Sequence, residues 1–517
     1  MELKKLIFAI VLTLAMACLV STATAQKNTL VVATGFADAN RLDPHLTSAG
    51  QDKTVLSWMF NGLTRIQPGE ASPEFIGPDL AESWTSNPGG TEWTFKLREK
   101  VRFHHGYGEL TSEDIVYSLN RAANPKTSSF SADFAAFDQV EAIDKYTVKI
   151  RLKYPIPSLL GLLSGYHGGN IVCQKAAVEM GEDFKKKPIG AGPFMFAEYK
   201  SQQLVRLIAH KQYFRGAPKL EEIIYRYISS DASRDLAFQS GEADMIFGKQ
   251  EESWVQRIMR IPGAKIAVLE PAELNTLHLN MSMKPLDDIR VREAIAHAID
   301  RQALVKFRGD TANRPAKSVV PIGYLGYNEM KLPSYDPAKS RKLLAEAGHP
   351  NGVTVKAIQS TMPALMTILE PVQEQLRKVG INLVIEPVEH ATFHSQIRQN
   401  LSQVVLYQAA RFPVADTYLT QFYLSDSIVG TPKAVTNFSH CKAADDEIKK
   451  ARIEQDPEKQ KALWKAAQRK ILDDMCSVPL YESLVLWAYK DSLDLGYNLH
   501  GSLNLGPPIT EATRFKK

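Results

Sequence analysis

The chain has 517 residues, 44% of them hydrophobic, and a formal net charge of only +5. That is too much chain for one hydrophobic core and predicts two or three domains. So small a charge over such length, with no basic cluster interleaved with aromatics, argues against a nucleic-acid partner.

The N-terminus reads as a processing signal. Lys4 and Lys5 precede an apolar run from Leu6 to Val20, too short to span a bilayer comfortably, and Ala23-Thr24-Ala25 offers a small-residue cleavage site. Residues 1–25 are therefore expected to be removed. Cys18 raises lipid anchoring as an alternative, disfavoured because Ala15 stands at its −3 position and Leu19 and Val20 follow it. No other run reaches about 18 apolar residues, so the mature chain is expected to be soluble. Without Glu2, Lys4 and Lys5 its net charge goes from +5 to +4.

Thr29 to Ala33, TLVVA, predicts a short buried strand, followed by a polar loop and a helix-like run into Phe60. Residues 92–97 and 147–153 alternate as strands do. In TVKIRLK, Val148, Ile150 and Leu152 face one way and Lys149, Arg151 and Lys153 the other, with Asp144-Lys145 at the expected hairpin turn. This stretch reads as β-rich with one helix, about Ser112 to Arg121. From about residue 282 helices and strands alternate, as in an α/β lobe. Asp287 or Asp288 caps a helix whose apolar face is Val291, Ala294, Ile295, Ala298 and Ile299. Asp336-Pro337 opens another, ended by Gly348 and Pro350. A third spans about 364–379 and stops at Gly380, before the strand residues Ile381, Leu383 and Ile385.

Three cysteines follow the processing signal. Cys441 and Cys476 bracket two helical patterns, about 443–455 and 457–474. An antiparallel hairpin of these helices would bring the two cysteines to disulfide distance; the alternative is two free thiols. Cys173 is odd and reads as a small buried residue.

Few strings carry catalytic chemistry. Pro188 to Phe194, PIGAGPF, is glycine-rich but has no Lys-Ser/Thr ending and leads into a strand, so it is no phosphate cradle; it reads as a tight connection requiring Gly190 and Gly192. His390 and His394 share a helix face at a spacing that zinc sites use, but a third ligand is wanting; a solvated helix face is the preferred reading and no metal is expected. His104-His105 reads as structural. There is no Gly-x-Ser-x-Gly elbow, and nothing ties a serine or cysteine to a base.

Several strings in order resemble the bacterial extracellular solute-binding proteins of family 5, the peptide/nickel/opine class that serves ABC importers. They are Leu42-Asp43-Pro44, DLAESW at 79–84, TFKLREKVRFHHGYGELTSEDIVYSLNR at 94–121, PIGAGPF (Ala191 replacing the Thr of P-x-G-T-G-P-[FY]), NTLHLNMSMKPLDDIRVREAIAHAIDR at 275–301, DPAKSRKLLAEAG at 336–348 and QEQLRKVGINLVIE at 373–386. The resemblance implies an α/β, two-lobed periplasmic-binding-protein fold of type II with an extra inserted domain. It implies a discontinuous first lobe of residues 26–64, 193–282 and 488–517, an inserted β-rich subdomain of 65–192, and a second lobe of 283–487. It further implies a periplasmic, monomeric protein with no cofactor and no enzymatic activity, that captures a peptide or anionic solute by lobe closure and hands it to a membrane permease. The rival readings are the same fold used as a ligand sensor for a membrane receptor, and a secreted hydrolase.

The departure from the family lies at 408–419, QAARFPVADTYL. Peptide binders of this class carry a Trp-x-x-Asp-x-x-Asp-Pro-like block here, whose first aspartate pairs with the ligand's amino group. Aligned on Asp416, that aspartate falls on or beside Arg411. A guanidinium binds carboxylates, not ammonium groups, so Arg411 implies an anionic ligand; a slipped alignment leaves it an ordinary surface arginine. The other candidate ligand contacts are Tyr407 and Phe412 beside it, Phe36, Asn40 and Arg41 in the loop after the first strand, and Tyr166 and His167 in YHGGN, each equally readable as a packing or turn residue.

Overall fold

The computed structural model describes residues 27–39, 41–47, 50–165, 168–361, 363–430 and 436–516. The processing signal with Cys18, and the candidates Asn40, Tyr166 and His167, lie outside them. No described helix is long and apolar enough to cross a membrane.

Two long strands organise the molecule, Ala264–Leu279 and Ser477–Lys490, paired antiparallel. Their pairing runs from Ala264↔Lys490 to Leu269↔Val485, breaks, and resumes from Glu273↔Ser483 to His278↔Ser477. On one side of the break the sheet continues through Met245–Phe247, Thr29–Thr34, Glu222–Tyr227, Leu204–Ala209 and Phe194–Lys200, forming a first lobe. On the other it continues through Val404–Ala409, Val353–Ser360 and Ile381–Val388, forming a second. Both strands are buried over most of their length, as central strands require, and Ser477–Lys490 carries the aromatic side chains Tyr481, Trp487 and Tyr489. The short strand Asn313–Pro315 joins the sheet at the break. From it Arg314 donates to Glu482 Oε2 (2.7 Å) and to Glu270 Oε1 (2.6 Å), tying together the two strands where their register shifts.

The β-rich segment forms a four-stranded antiparallel sheet in the order Ala81–Ser86, Glu92–Leu97, Thr147–Leu152, Phe137–Asp144. Val148, Ile150 and Leu152 are buried, as their alternation predicts, and their core is continuous with that of the first lobe through Leu30 and Val32. Besides the expected helix, Ser112–Ala123, this segment holds the short helices Leu159–Leu162 and Gln174–Met180. The single-helix reading missed them because they are too short for a periodicity to show.

PIGAGPF is a close-packed junction. A Cβ on Gly190 or Gly192 would lie 2.2 or 2.5 Å from Met59 backbone atoms. His104 Nε2–H donates to the Gly192 carbonyl (3.0 Å) and its Nδ1 accepts from the Gly190 N–H (3.3 Å); His210 Nδ1–H donates to the same carbonyl (3.1 Å). Burial holds His104 down to about 3, so this ring is a neutral strut at physiological pH.

In the second lobe Asp288 caps Ile289–His297, Asp300 caps Arg301–Arg308, and Asp336 caps Pro337–Glu346 with Pro337 in its first turn. Cys441 and Cys476 are joined in a buried disulfide, Cα–Cα 5.6 Å, across the helices Asp445–Ile453 and Pro457–Asp473. Cys173 is a buried free thiol.

Candidate functional site

The strand directions locate the cleft. Phe247 pairs with Trp487 and Met245 with Tyr489, so the carboxyl end of Met245–Phe247, and of the parallel strand Thr29–Thr34, points toward the second lobe. Leu274 pairs with Ala409 and Leu279 with Val404, so the carboxyl end of Val404–Ala409 points toward the first lobe. Val353–Ser360 and Ile381–Val388 run parallel to it. Both lobes therefore turn the carboxyl ends of their parallel strands to the space between them, where α/β sheets hold ligands.

Arg411 follows one of these strand ends and is half-buried. Its guanidinium lies over the Phe422 ring (5.0 Å), Nη1 donates to Ala410 O (2.8 Å) and Nε donates to Gln421 Oε1. The Tyr324 hydroxyl brackets its backbone, accepting from the amide (2.7 Å) and donating to the carbonyl (2.8 Å). The side chain is thus held through neutral groups, and no carboxylate of the described residues forms an ion pair with it.

Two charges from other elements lie near enough to act on Arg411 electrostatically: Lys53, on the first-lobe helix Gly50–Leu56, and Glu273, where the long strands resume pairing. Burial pushes Lys53 down to about 8, with Arg411 adding to the shift and Asp133 and Glu273 opposing it. Burial pushes the Glu273 carboxyl up, opposed by Arg411, by the Gln408 amide donating to it (2.9 Å) and by Lys53. Lys53, Glu273 and Arg411 are each half-buried, and each retains accessible surface. Lys53 also stands 5.6 Å over the Phe130 ring.

Tyr407 and Phe412 belong to the same wall. Tyr407 packs between Phe422 (5.9 Å) and Phe438 (5.1 Å). Phe412 is buried against Gly161 of the β-rich segment, so closely that a Cβ there would lie 1.8 Å from its ring. This contact joins the second lobe to the β-rich segment attached to the first. Phe36 sits on the opposing strand end against Phe247 (6.2 Å). The Arg41 side chain is exposed and does not join the group. Asp416 points away from the cleft into the second lobe, buried, its carboxylate 3.6 Å from Arg452. Arg292 and Arg301 bind backbone carbonyls and are scaffold.

A cavity of about 130 Å³ lies between the first lobe and the β-rich segment, lined by polar groups including Asn61, Asp79 and Tyr213. It shares Ser57, Gly165, Asn170 and Asn504 with a smaller cavity that reaches Lys53.

His390 and His394 are not a solvated helix face. Both are half-buried, and His394 Nδ1 is fully buried. Lys53, Glu273 and Gln408 were not singled out in the sequence, where Glu273 is one of two carboxylates in the long strand Ala264–Leu279 and carries no distinguishing pattern.

Residues 76–430 match the family described as bacterial extracellular solute-binding proteins, family 5 Middle. The chain is 28% identical over 496 residues to the glutathione-binding protein GsiB of Escherichia coli K12, covering 94% of each. It is 48% identical to the solute-binding protein MoaA of A. tumefaciens R10, solved in complex with mannopinic acid, with TM-score 0.86, covering 95% of this chain and 100% of that one. DppA of Helicobacter pylori, solved with the peptide STSA, shares the fold at 24% identity, TM-score 0.81, covering 95% of this chain and 99% of that one.

Proposed function

The chain belongs to family 5 of the bacterial extracellular solute-binding proteins and is the substrate-binding component of an ABC importer; from that premise we propose that its solute is a small anion of the opine-acid kind rather than a neutral peptide. The observation that carries the reading is Arg411 beyond a strand end of the second lobe: its side-chain bonds are to neutral groups, and no carboxylate of the described residues forms an ion pair with it. A planar guanidinium clamped by Gln421, Ala410 and Phe422 is pre-organised to bind a carboxylate through its remaining N–H groups. Glu273 gives the same site an acceptor for an amine of that solute. The mannopinic acid of the 48%-identical relative is an acid and supports the reading.

Capture follows by closure. Solute bound between the strand ends stabilises the form in which Phe412 seats on Gly161, and the register break tied by Arg314 is the natural bending point of the two crossing strands. The closed form docks on the permease as a periplasmic monomer, and no bond is made or broken.

Calorimetry with mannopinic acid, glutathione and Met-Leu tests this. Mannopinic acid is expected to bind tightest, and Arg411→Ala to weaken it by about 2–4 kcal/mol. Tightest binding of Met-Leu, or an unchanged affinity in the variant, refutes it.

A further inference from the structure

We propose that Tyr324 is a positioning residue of the solute site: its hydroxyl fixes the backbone of Arg411 and so sets where the guanidinium meets an anionic group. The inference rests on Arg411 as the partner of the solute's carboxylate, and adds to that reading the residue that holds Arg411 in place.

Arg411 lies just past the carboxyl end of Val404–Ala409, beyond the pair Leu274↔Ala409 with which the ladder to Ala264–Leu279 ends. From there the chain has no strand partner to fix it. Two consecutive residues of a strap, 316–330, take over that task. The Tyr324 hydroxyl accepts from the Arg411 N–H (2.7 Å) and donates to the Arg411 carbonyl (2.8 Å). A hydroxyl has one proton to give and lone pairs to accept with, so one oxygen serves both backbone groups of a single residue. Leu325 then pairs with Val414 as an isolated parallel bridge. Its N–H donates to Pro413 O (2.9 Å) and its carbonyl accepts from the Ala415 N–H (2.8 Å). Residues 411–415 are thus tied to the strap at four backbone groups, and both bonds at Arg411 go through the Tyr324 oxygen.

The strap does not depend on Arg411 for its own position. Glu482 Oε1 accepts from the Ile322 N–H (2.8 Å), while Glu482 Oε2 holds Arg314 at the register break. Gln468, buried on the helix Pro457–Asp473, grips the strap on both sides of Tyr324. Its Oε1 accepts from the Ser318 hydroxyl (2.9 Å) and the Asn328 N–H (3.3 Å), and its Nε2 donates to Gly326 O (2.8 Å). Gly326 lies so near Trp464 of the same helix that a Cβ would stand 2.3 Å from its ring. The Tyr324 ring is itself buried and meets the Tyr418 ring edge to face at 6.0 Å. Tyr324 is therefore a fixed post, and Arg411 is held by it.

The consequence for binding is freedom removed in advance. With its Cα placed by Tyr324, the Arg411 side chain is directed by Gln421, the Ala410 carbonyl and the Phe422 ring, and Nη2 donates to no described residue. A guanidinium already in place binds a carboxylate without the ordering cost that an untethered arginine meets on binding. Tyr324 reaches the solute only through Arg411.

The test is a double-mutant cycle read by calorimetry with mannopinic acid. Arg411→Ala is expected to weaken binding at least about thirtyfold, and Tyr324→Phe about tenfold. Tyr324→Phe removes one oxygen and leaves the ring to pack, and circular dichroism checks that the fold is kept. In the Arg411→Ala background Tyr324→Phe should weaken binding by less than about twofold, because a truncated side chain has no placement left to lose. Unchanged affinity in Tyr324→Phe, or a tenfold loss that persists in the Arg411→Ala background, overturns this proposal and leaves Arg411 in its role. No binding of mannopinic acid by the wild type, or unchanged affinity in Arg411→Ala, overturns both this proposal and the anion reading beneath it.

Discussion

His104 and His210 meet edge to face with ring centroids 5.0 Å apart at 87°, and His390 and His394 do the same at 4.6 Å and 79°. The first pair spends its ring nitrogens on the backbone of one glycine junction. The second turns two nitrogens toward each other beyond the carboxyl end of Ile381–Val388. The arginines divide the same way. Arg301 donates to the carbonyls of Pro479 (2.6 Å) and Pro333 (2.8 Å), whereas Arg411 is held by neutral groups on one side and faces the space between the lobes on the other. A polar group whose bonds close within the fold serves the fold; one clamped with bonding capacity to spare is placed for something that arrives later.

The sharpest way to break that comparison is to delete one ring from each pair. His104→Ala strands the Gly190 N–H and the Gly192 carbonyl and opens a cavity at a junction where Met59 backbone already touches both glycines. It should cost about 3 kcal/mol in urea denaturation. His394→Ala, whose ring bonds only to another side chain, should cost no more than about 1 kcal/mol. Equal losses would make both pairs structural.

Acid sharpens it next. His45, His104 and His278 are held down to about 4, 3 and 3, in each case chiefly by burial. Their folded values lie below the ordinary 6.5, so the unfolded chain takes up protons first. Their contribution to stability is complete above pH 6.5 and is lost as pH falls from there toward 4. Each contributes a slope of up to about 1.4 kcal/mol per pH unit in that window. Thermal unfolding between pH 7 and 5 should show this, with a shallower slope in a folded His104→Gln variant.

A smaller effect separates closure from folding. Gly161→Val would set a side chain against Phe412, a contact that joins the second lobe to the β-rich segment. Stability should change little, while affinity for the cleft ligand falls about tenfold and small-angle scattering shows a larger radius of gyration. An unchanged affinity would mean that closure does not need this contact.

The fold was legible because it rests on periodic signals. The alternation in TVKIRLK, the Asp336-Pro337 start and the Gly380 stop each repeat or punctuate a pattern that local geometry obeys. The cleft wall has no such pattern. Lys53, Glu273 and Arg411 are single charges from three distant segments, and only the crossing strands bring them into one space. Helical spacing put His390 and His394 on one face, but it carries no information on what that face meets; here it meets Ser360 and Tyr407 rather than water. Arg411 stood out for a different reason, as a departure from a familiar string, while the equally cleft-placed Glu273 lay two residues before one of the strings that carried the resemblance.

Lys53 gives the mildest test, through pH alone. In the ligand-free cleft burial and the Arg411 charge hold it down to about 8, and a carboxylate beside it would restore the value toward its ordinary 10.4. Binding then takes up a proton above pH 8. Affinity for an anionic solute is full below that pH and falls as Lys53 loses its proton in the free protein, by about fivefold between pH 8 and 9. Lys53→Arg stays charged throughout this range and should flatten the profile. A flat profile in the wild type would place the anion away from Lys53 and leave Arg411 as its sole cationic partner.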